Sequence, residues 1–210
     1  MRRAAAIVLA VVAVLASGGR AGAGEFGVSL EGGYFDMTNA HKSARAIFGD
    51  VSGGFTGGGS VRYLLTRSLF VGVGGHYFER TGQRAFVADA NGTPFRLGHP
   101  LTLRTIPVYA MVGWRFSPDA TLVPYVALGA GPTSIHEKSV VGGIEESQSQ
   151  SKFSGHFLAG IEWGRSPLRV GAELMYSTVP NSIGVAGVSK IYGEKDLGGL
   201  SIVGKVIVVP

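Results

Sequence analysis

The stretch FLAGIEWGRSPLRVGAELMYS, residues 157–177, is the part of the sequence that decides the fold. On each side of Gly164-Arg165-Ser166, apolar residues alternate with small or polar residues. This period of two indicates a strand with one apolar face. Because the intervening segment is short and rich in turn-forming residues, the stretch predicts two long antiparallel strands joined as a hairpin.

The same alternation recurs along the rest of the chain and predicts eight strands. No stretch longer than about ten residues keeps the apolar spacing of a helix. The predicted strands are Phe26–Met37, Gly54–Leu65, Ser68–Glu79, Thr102–Phe116, Thr121–Ile135, Lys152–Trp163, Pro167–Thr178 and Leu197–Val209. They are about 11 to 15 residues long, whereas strands of soluble proteins average about 5–6 and tilted membrane-spanning strands about 9–11. The lengths favour strands that cross a membrane.

The connections between these strands alternate between short and long. The short ones are Thr66-Arg67, Ser117–Ala120 and Gly164–Ser166, and the long ones are Thr38–Gly53, Arg80–Leu101, His136–Ser151 and Val179–Asp196. Short periplasmic turns and long external loops are typical of outer-membrane barrels, which also have an even strand number. We therefore predict an all-β fold: an eight-stranded, antiparallel, up-and-down transmembrane β-barrel.

Composition excludes several other classes of protein. Glycine contributes 34 of 210 residues, which is about twice its average usage, but there is no Gly-X-Y period of a collagen. Hydrophobic residues make up 45% and charged residues 16%, unlike a disordered chain. The chain has no cysteine, and hence no disulfide or thiolate site. Its histidines are scattered, so we expect neither a metal nor a cofactor.

The N-terminus has the three parts of a secretory signal peptide. Arg2 and Arg3 precede the apolar run Ala4–Ala16, and Ala21 and Ala23 form a small-x-small cleavage site. We expect residues 1–23 to be removed and residues 24–210 to form the barrel domain in the cell outer membrane. The formal net charge of +5 then falls to +2, because only basic residues are lost. The basic excess therefore gives no reason to expect a nucleic-acid partner.

Alternation also assigns the two faces of each strand. The charges within the strands fall on the less apolar face, where glycine and serine are common, and an eight-stranded barrel has a lumen just wide enough for side chains to fill. Seven charged residues are therefore assigned to the lumen: Glu31, Arg62, Arg115, Glu162, Arg169, Glu173 and Lys205. Because an unpartnered buried charge is costly, they should pair, either as a static plug or as a gate.

Aromatic residues mark both ends of the apolar face. Those at the turn ends are Tyr63, Trp114, Phe116 and Trp163, and those at the long-loop ends are Tyr34, Tyr77 and Tyr176. Two such girdles are typical of a lipid-facing surface. We expect these seven to lie at the membrane interfaces.

Two units carry a resemblance to a known family. Residues 106–109 with 124–131, and residues 157–163 with 168–174, resemble the small eight-stranded outer-membrane β-barrels of the OmpA/OmpX/OmpW-like group. The resemblance covers essentially all of residues 24–210. It implies contacts with outer-membrane lipid, lipopolysaccharide and the barrel assembly machinery, and we expect a monomer. One departure is the C-terminus: the family usually ends in an aromatic residue, and this chain ends in Val209-Pro210.

Three function classes stay open at this point. The first is a structural or surface-interaction barrel, and the second is a narrow channel for small solutes, apolar ones included. The third is an enzyme that modifies lipid A, for which the candidate side chains are His76, His136, His156, Ser134 and Ser154. A triad needs its members within hydrogen-bond reach, and His76 and His156 are predicted to face the lumen and not the lipid. We therefore expect no catalytic residues.

Overall fold

The computed structural model describes residues 24–209, which form one closed barrel of eight antiparallel strands. The strands are β1 (Phe26–Asp36), β2 (Gly53–Leu64), β3 (Leu69–Phe86), β4 (Phe95–Arg115), β5 (Leu122–Val141), β6 (Ile144–Arg165), β7 (Leu168–Thr178) and β8 (Gly199–Val208). Each strand pairs with its neighbours in the chain, and β1 closes the ring on β8. The predicted up-and-down barrel is confirmed. The proposed signal peptide, with Ala21 and Ala23, and residue Pro210 lie outside the described residues.

Strand β8 shows how the sequence produces the barrel wall. Leu200 and Ile202 are exposed on the outside, while Ser201, Val203 and Lys205 are buried inside. The same alternation runs around the ring, so large apolar side chains cover the exterior. Soluble monomers rarely expose an apolar surface of that extent, whereas a lipid-facing barrel requires it.

The predicted long loop His136–Ser151 is wrong. Strands β5 and β6 stay paired as far as Val141 and Ile144, and only Gly142 and Gly143 form the turn, with φ of +59° and +82°. Two-residue hairpin turns with positive φ at both positions strongly favour glycine. This turn signal was present in the sequence.

The predicted loop Arg80–Leu101 is also mostly strand, because β3 runs to Phe86 and β4 begins at Phe95. In both hairpins the extension carries polar residues on both faces, so the alternation that marks the other strands is absent. The extended β5–β6 hairpin is held by ladder hydrogen bonds and an ion pair between Lys138 and Glu145 at 2.7 Å. A second pair at 2.8 Å links Arg84 and Glu146.

The other two long connections fold into a cap over the loop end of the barrel, the end opposite the short turns. A 3₁₀ turn and helix α1 (His41–Phe48) follow β1, and helix α2 (Gly187–Tyr192) lies between β7 and β8. The sequence pattern did not predict these short helices. They cover an apolar layer of buried side chains that closes the lumen: Phe35, Met37, Ala40, Ala44, Phe78, Leu103, Ile135, Val179 and Leu197. Among residues 24–209, no helix has the length and apolar content needed to cross a membrane.

Glu194 joins the two halves of this cap. Its carboxylate accepts hydrogen bonds from the backbone N–H groups of Lys42 and Ser43, at 2.9 and 2.8 Å, and from the Ser43 hydroxyl. These N–H groups belong to the first turn of α1, where no intrahelical acceptor exists. Glu194 therefore acts as an N-cap supplied from the β7–β8 connection.

Replacing Glu194 with alanine should loosen α1 without unfolding the barrel. Loss of an N-cap costs about 1 kcal/mol, so the amides of Lys42 and Ser43 should exchange with solvent about fivefold faster. Hydrogen exchange followed by NMR would measure this, with Glu145→Ala as the matched control at an exposed hairpin position. Unchanged exchange in α1 would contradict the capping role.

Candidate functional site

The seven charged residues assigned to the lumen all point inside the barrel. Six are buried, and Arg169 is partly buried near the turn end. They come from β1, β2, β4, β6, β7 and β8, at positions where the strand alternation turns the side chain inward. Together with two tyrosines and two histidines, they form one stack of polar side chains along the barrel axis, described from its centre outward below.

Lys205 and Glu173 form the centre of the stack. The Lys205 ammonium lies 2.7 Å from Glu173 Oε2 and 3.1 Å from Glu31 Oε1. It also donates to the Tyr125 hydroxyl at 3.1 Å. The side chains of Glu173, Glu31 and Lys205 are at most 1% exposed, so each charge depends on its partners in place of water.

Arg62 links this centre to the turn end. Its guanidinium contacts Glu162 Oε1 at 2.9 Å and Glu173 Oε2 at 3.1 Å, so it bridges two carboxylates. The same group lies over the rings of Tyr125 and Phe70, with 4.6 and 5.0 Å to the ring centroids. These cation–π contacts compensate part of the lost hydration of the arginine.

Arg115 and Arg169 end the stack at the turn end. Both approach Glu162 Oε2, at 3.7 and 3.6 Å, so Glu162 faces three arginines. Arg169 and Glu173 lie four residues apart on the inward face of β7. In the structure Arg169 contacts Glu162 on the adjacent strand instead, and Glu173 turns toward Arg62 and Lys205.

A histidine layer lies on the other side of Lys205. Glu31 Oε1 accepts hydrogen bonds from the hydroxyls of Ser29 and Ser60, at 2.6 and 2.9 Å. Its second oxygen lies 2.9 Å from His76 Nε2 without the angles of a hydrogen bond. This layer connects the central charges to the apolar layer under the cap.

Tyr109 fills the middle of the histidine layer. Its ring centroid lies 4.4 Å from that of His156 and 6.2 Å from that of His76. Between this layer and the cap is a cavity of about 30 Å³, which is large enough to hold water. Side chains therefore fill the lumen at three levels: charged, aromatic–histidine and apolar.

Glycines facing the lumen make room for the two buried tyrosines. A Cβ atom at Gly74 would lie 2.8 Å from the Tyr109 ring, and one at Gly160 would lie 2.5 Å from the Tyr125 hydroxyl. Sequence reasoning missed the role of both tyrosines. Because β5 is apolar on both faces, alternation does not show that Tyr125 faces the lumen. The small residues Ala127 and Gly129 on the same face are a weak indication that this face points inward.

The seven predicted interface aromatics all lie on the outer face. Six are exposed by 39% to 60%, and Tyr63 is partly covered by Phe26, with ring centroids 4.8 Å apart. At the loop end, the Tyr77 hydroxyl donates to Glu79 at 2.6 Å, and Arg104 pairs with the same carboxylate at 2.7 Å.

The candidate catalytic residues do not assemble into a triad among residues 24–209. Ser154 Oγ lies 3.0 Å from His156 Nε2, but His156 Nδ1 has no hydrogen-bond partner to orient the ring. Both side chains are buried in the lumen. His136 pairs instead with Ser149 at 2.7 Å on the extended hairpin, and Ser134 lies on the outer face.

Comparison with known proteins identifies the fold. The barrel is similar to Neisserial surface protein A, with a TM-score of 0.55 and 15% identity over 87% of this chain and 96% of that chain. A second similar structure is the N-terminal β-barrel domain of Pseudomonas aeruginosa OprF, with a TM-score of 0.48 and 14% identity over 89% of this chain and 99% of that chain. A third is Yersinia pestis Ail in complex with the heparin analogue sucrose octasulfate, with a TM-score of 0.47 and 17% identity over 88% of this chain and 97% of that chain. No family model and no curated protein matches the chain. The expected resemblance to small eight-stranded outer-membrane barrels is thus confirmed at the level of the fold.

Proposed function

We propose that the protein is an integral outer-membrane barrel with a structural or surface-interaction role and a plugged lumen. The observation that carries this proposal is the stack of buried side chains around Lys205, Glu173 and Arg62, whose opposite charges contact one another inside the lumen. A wide conducting lumen would keep such groups hydrated. The rigid barrel then presents its loop-end cap as the part available for interactions.

The location follows from several features taken together. The apolar exterior and its two aromatic girdles suit outer-membrane lipid at the turn end and lipopolysaccharide at the loop end. Residues 1–23 would act as the cleaved signal peptide, and the barrel assembly machinery would insert the chain as a monomer. Neisserial surface protein A is named as a surface protein, which supports a surface role for this chain.

The alternative function is a narrow channel, and a conductance measurement distinguishes it from a plugged barrel. The purified barrel should give no steps of single-channel current in planar lipid bilayers, because the charged, aromatic–histidine and apolar layers lie in series along the lumen. A heat-modifiable shift on a gel would show that the barrel in the same sample is folded. Reproducible conductance steps from folded protein would overturn the plugged lumen.

The lipid-modifying enzyme finds less support. Ser154 and His156 are in contact, but they are buried inside the barrel, on the opposite side of the wall from the lipid. A lipid ester would have to pass through the strand ladder or the apolar layer under the cap to reach them. We therefore propose no catalytic role for this pair and regard it as part of the lumen packing.

A further inference from the structure

A deep cleft lies at the loop end, above the apolar layer that closes the lumen. Its volume is about 620 Å³, within the range of about 300–1,000 Å³ that holds small-molecule ligands. Leu103, Ile135 and Leu197 lie at its floor. Helix α1, residues 182–189 and the extended parts of β3 to β6 line its sides.

Most of the lining of this loop-end cleft is apolar, and α1 contributes Ala44, Ile47 and Phe48. Two charged residues are present, Arg84 and Glu137. Arg84 is already paired with Glu146 at 2.8 Å, so part of its positive charge is balanced by a carboxylate outside the cleft. The remaining charge of the cleft is the carboxylate of Glu137.

Glu137 differs from the other acidic side chains of the extended strands. Glu79, Glu145 and Glu146 each form an ion pair, with Arg104, Lys138 and Arg84 respectively. Within residues 24–209, Glu137 forms none, and the residues beside it in the ladder are Leu103 and Gln148. The side chain of Glu137 is exposed to the water of the cleft. The surrounding walls raise the pKa of this carboxyl, and the Arg84 charge acts in the opposite direction.

We propose that the loop-end cleft binds a small apolar molecule carrying one protonated amine, whose ammonium group pairs with Glu137 while its apolar body contacts the cleft floor. Charge complementarity selects this occupant, because an anionic amphiphile would place a second negative charge beside an unpaired carboxylate. An uncharged molecule would make no ionic contact with that carboxylate. The proposal rests on the orientation given above, in which the cap faces outward, and it does not depend on whether the lumen conducts.

The test uses the folded barrel in lipid nanodiscs and three probes that share one apolar body: adamantan-1-amine, adamantan-1-ol and adamantane-1-carboxylate. Methyl NMR signals of Leu103, Ile135 and Val188 report binding in the cleft, and empty nanodiscs correct for partition into lipid. We expect saturable shifts with the amine and at least tenfold weaker binding of the carboxylate. Because water reaches Glu137, the ion pair contributes less than a buried one would, so Glu137→Gln should weaken amine binding about threefold to fivefold and leave the alcohol unchanged.

Glu145→Gln is the matched control, because Glu145 lies on the same hairpin but outside the cleft. It should bind the amine as the natural chain does. The proposal is overturned if the amine gives no saturable shift, if the carboxylate binds as tightly, or if Glu137→Gln binds the amine with unchanged affinity. A folded barrel that conducts current but binds the amine would contradict the plugged lumen and leave this inference standing.

Discussion

The Glu173→Ala variant is expected to lose about 3–5 kcal/mol of its free energy of unfolding, the usual cost of removing one partner of a buried ion pair. Glu173 Oε2 contacts both Lys205 and Arg62, at 2.7 and 3.1 Å, and accepts from the Tyr125 hydroxyl. Without it, two positive groups stay in the buried interior of the barrel, with only Glu31 and Glu162 to balance them. Urea titration in lipid vesicles, followed by tryptophan fluorescence, would measure the loss.

Two further variants make this result interpretable. Glu146→Ala removes an ion pair with Arg84 whose side chains are 37% and 57% exposed, and such exposed pairs contribute about 0–1 kcal/mol. Replacing Glu173 and Lys205 together by apolar residues should cost less than the sum of the two single changes, because the two opposite charges of this pair are then removed together. If Glu173→Ala is no more harmful than Glu146→Ala, water fills the lumen and the plugged barrel is wrong.

The barrel itself could be predicted because two environments act on every strand at once. Lipid requires large apolar residues outside, and a narrow lumen requires small or paired polar residues inside, so the alternation is strong in β4 and β8. Beyond the apolar band this constraint ends. Residues 144–151 carry polar groups on both faces, and only the Gly142-Gly143 turn shows that the strands continue.

The partners of the lumen charges could not be predicted in the same way. Strand alternation tells which face carries a side chain, but the pairs across the lumen depend on the stagger of the strands around the ring. That stagger places Arg62 between Glu162 and Glu173, which lie on neighbouring strands. The cap was missed for a related reason, since α1 depends on Glu194, which lies about 150 residues further along the chain.

The fit between the lumen glycines and the buried tyrosines gives the second large expected effect. Gly74→Ala should destabilise the barrel by about 1–3 kcal/mol, as overpacking of a filled core does. The new Cβ would lie 2.8 to 3.0 Å from three atoms of Tyr109. The tyrosine cannot retreat, because its ring lies against His156 and comes close to Gly129, where a Cβ would be 3.0 Å from it.

Gly204→Ala separates this steric effect from the general effect of replacing a strand glycine. Gly204 faces outward, and its new Cβ would meet nothing closer than a backbone oxygen at 3.8 Å, so its unfolding midpoint in urea should not fall. The decisive comparison is Gly74→Ala in a Tyr109→Leu background, where the alanine should cost little because the ring that it meets is gone. An equal cost in both backgrounds would show that the penalty arises in the backbone, and that the lumen glycines do not serve to accommodate the tyrosines.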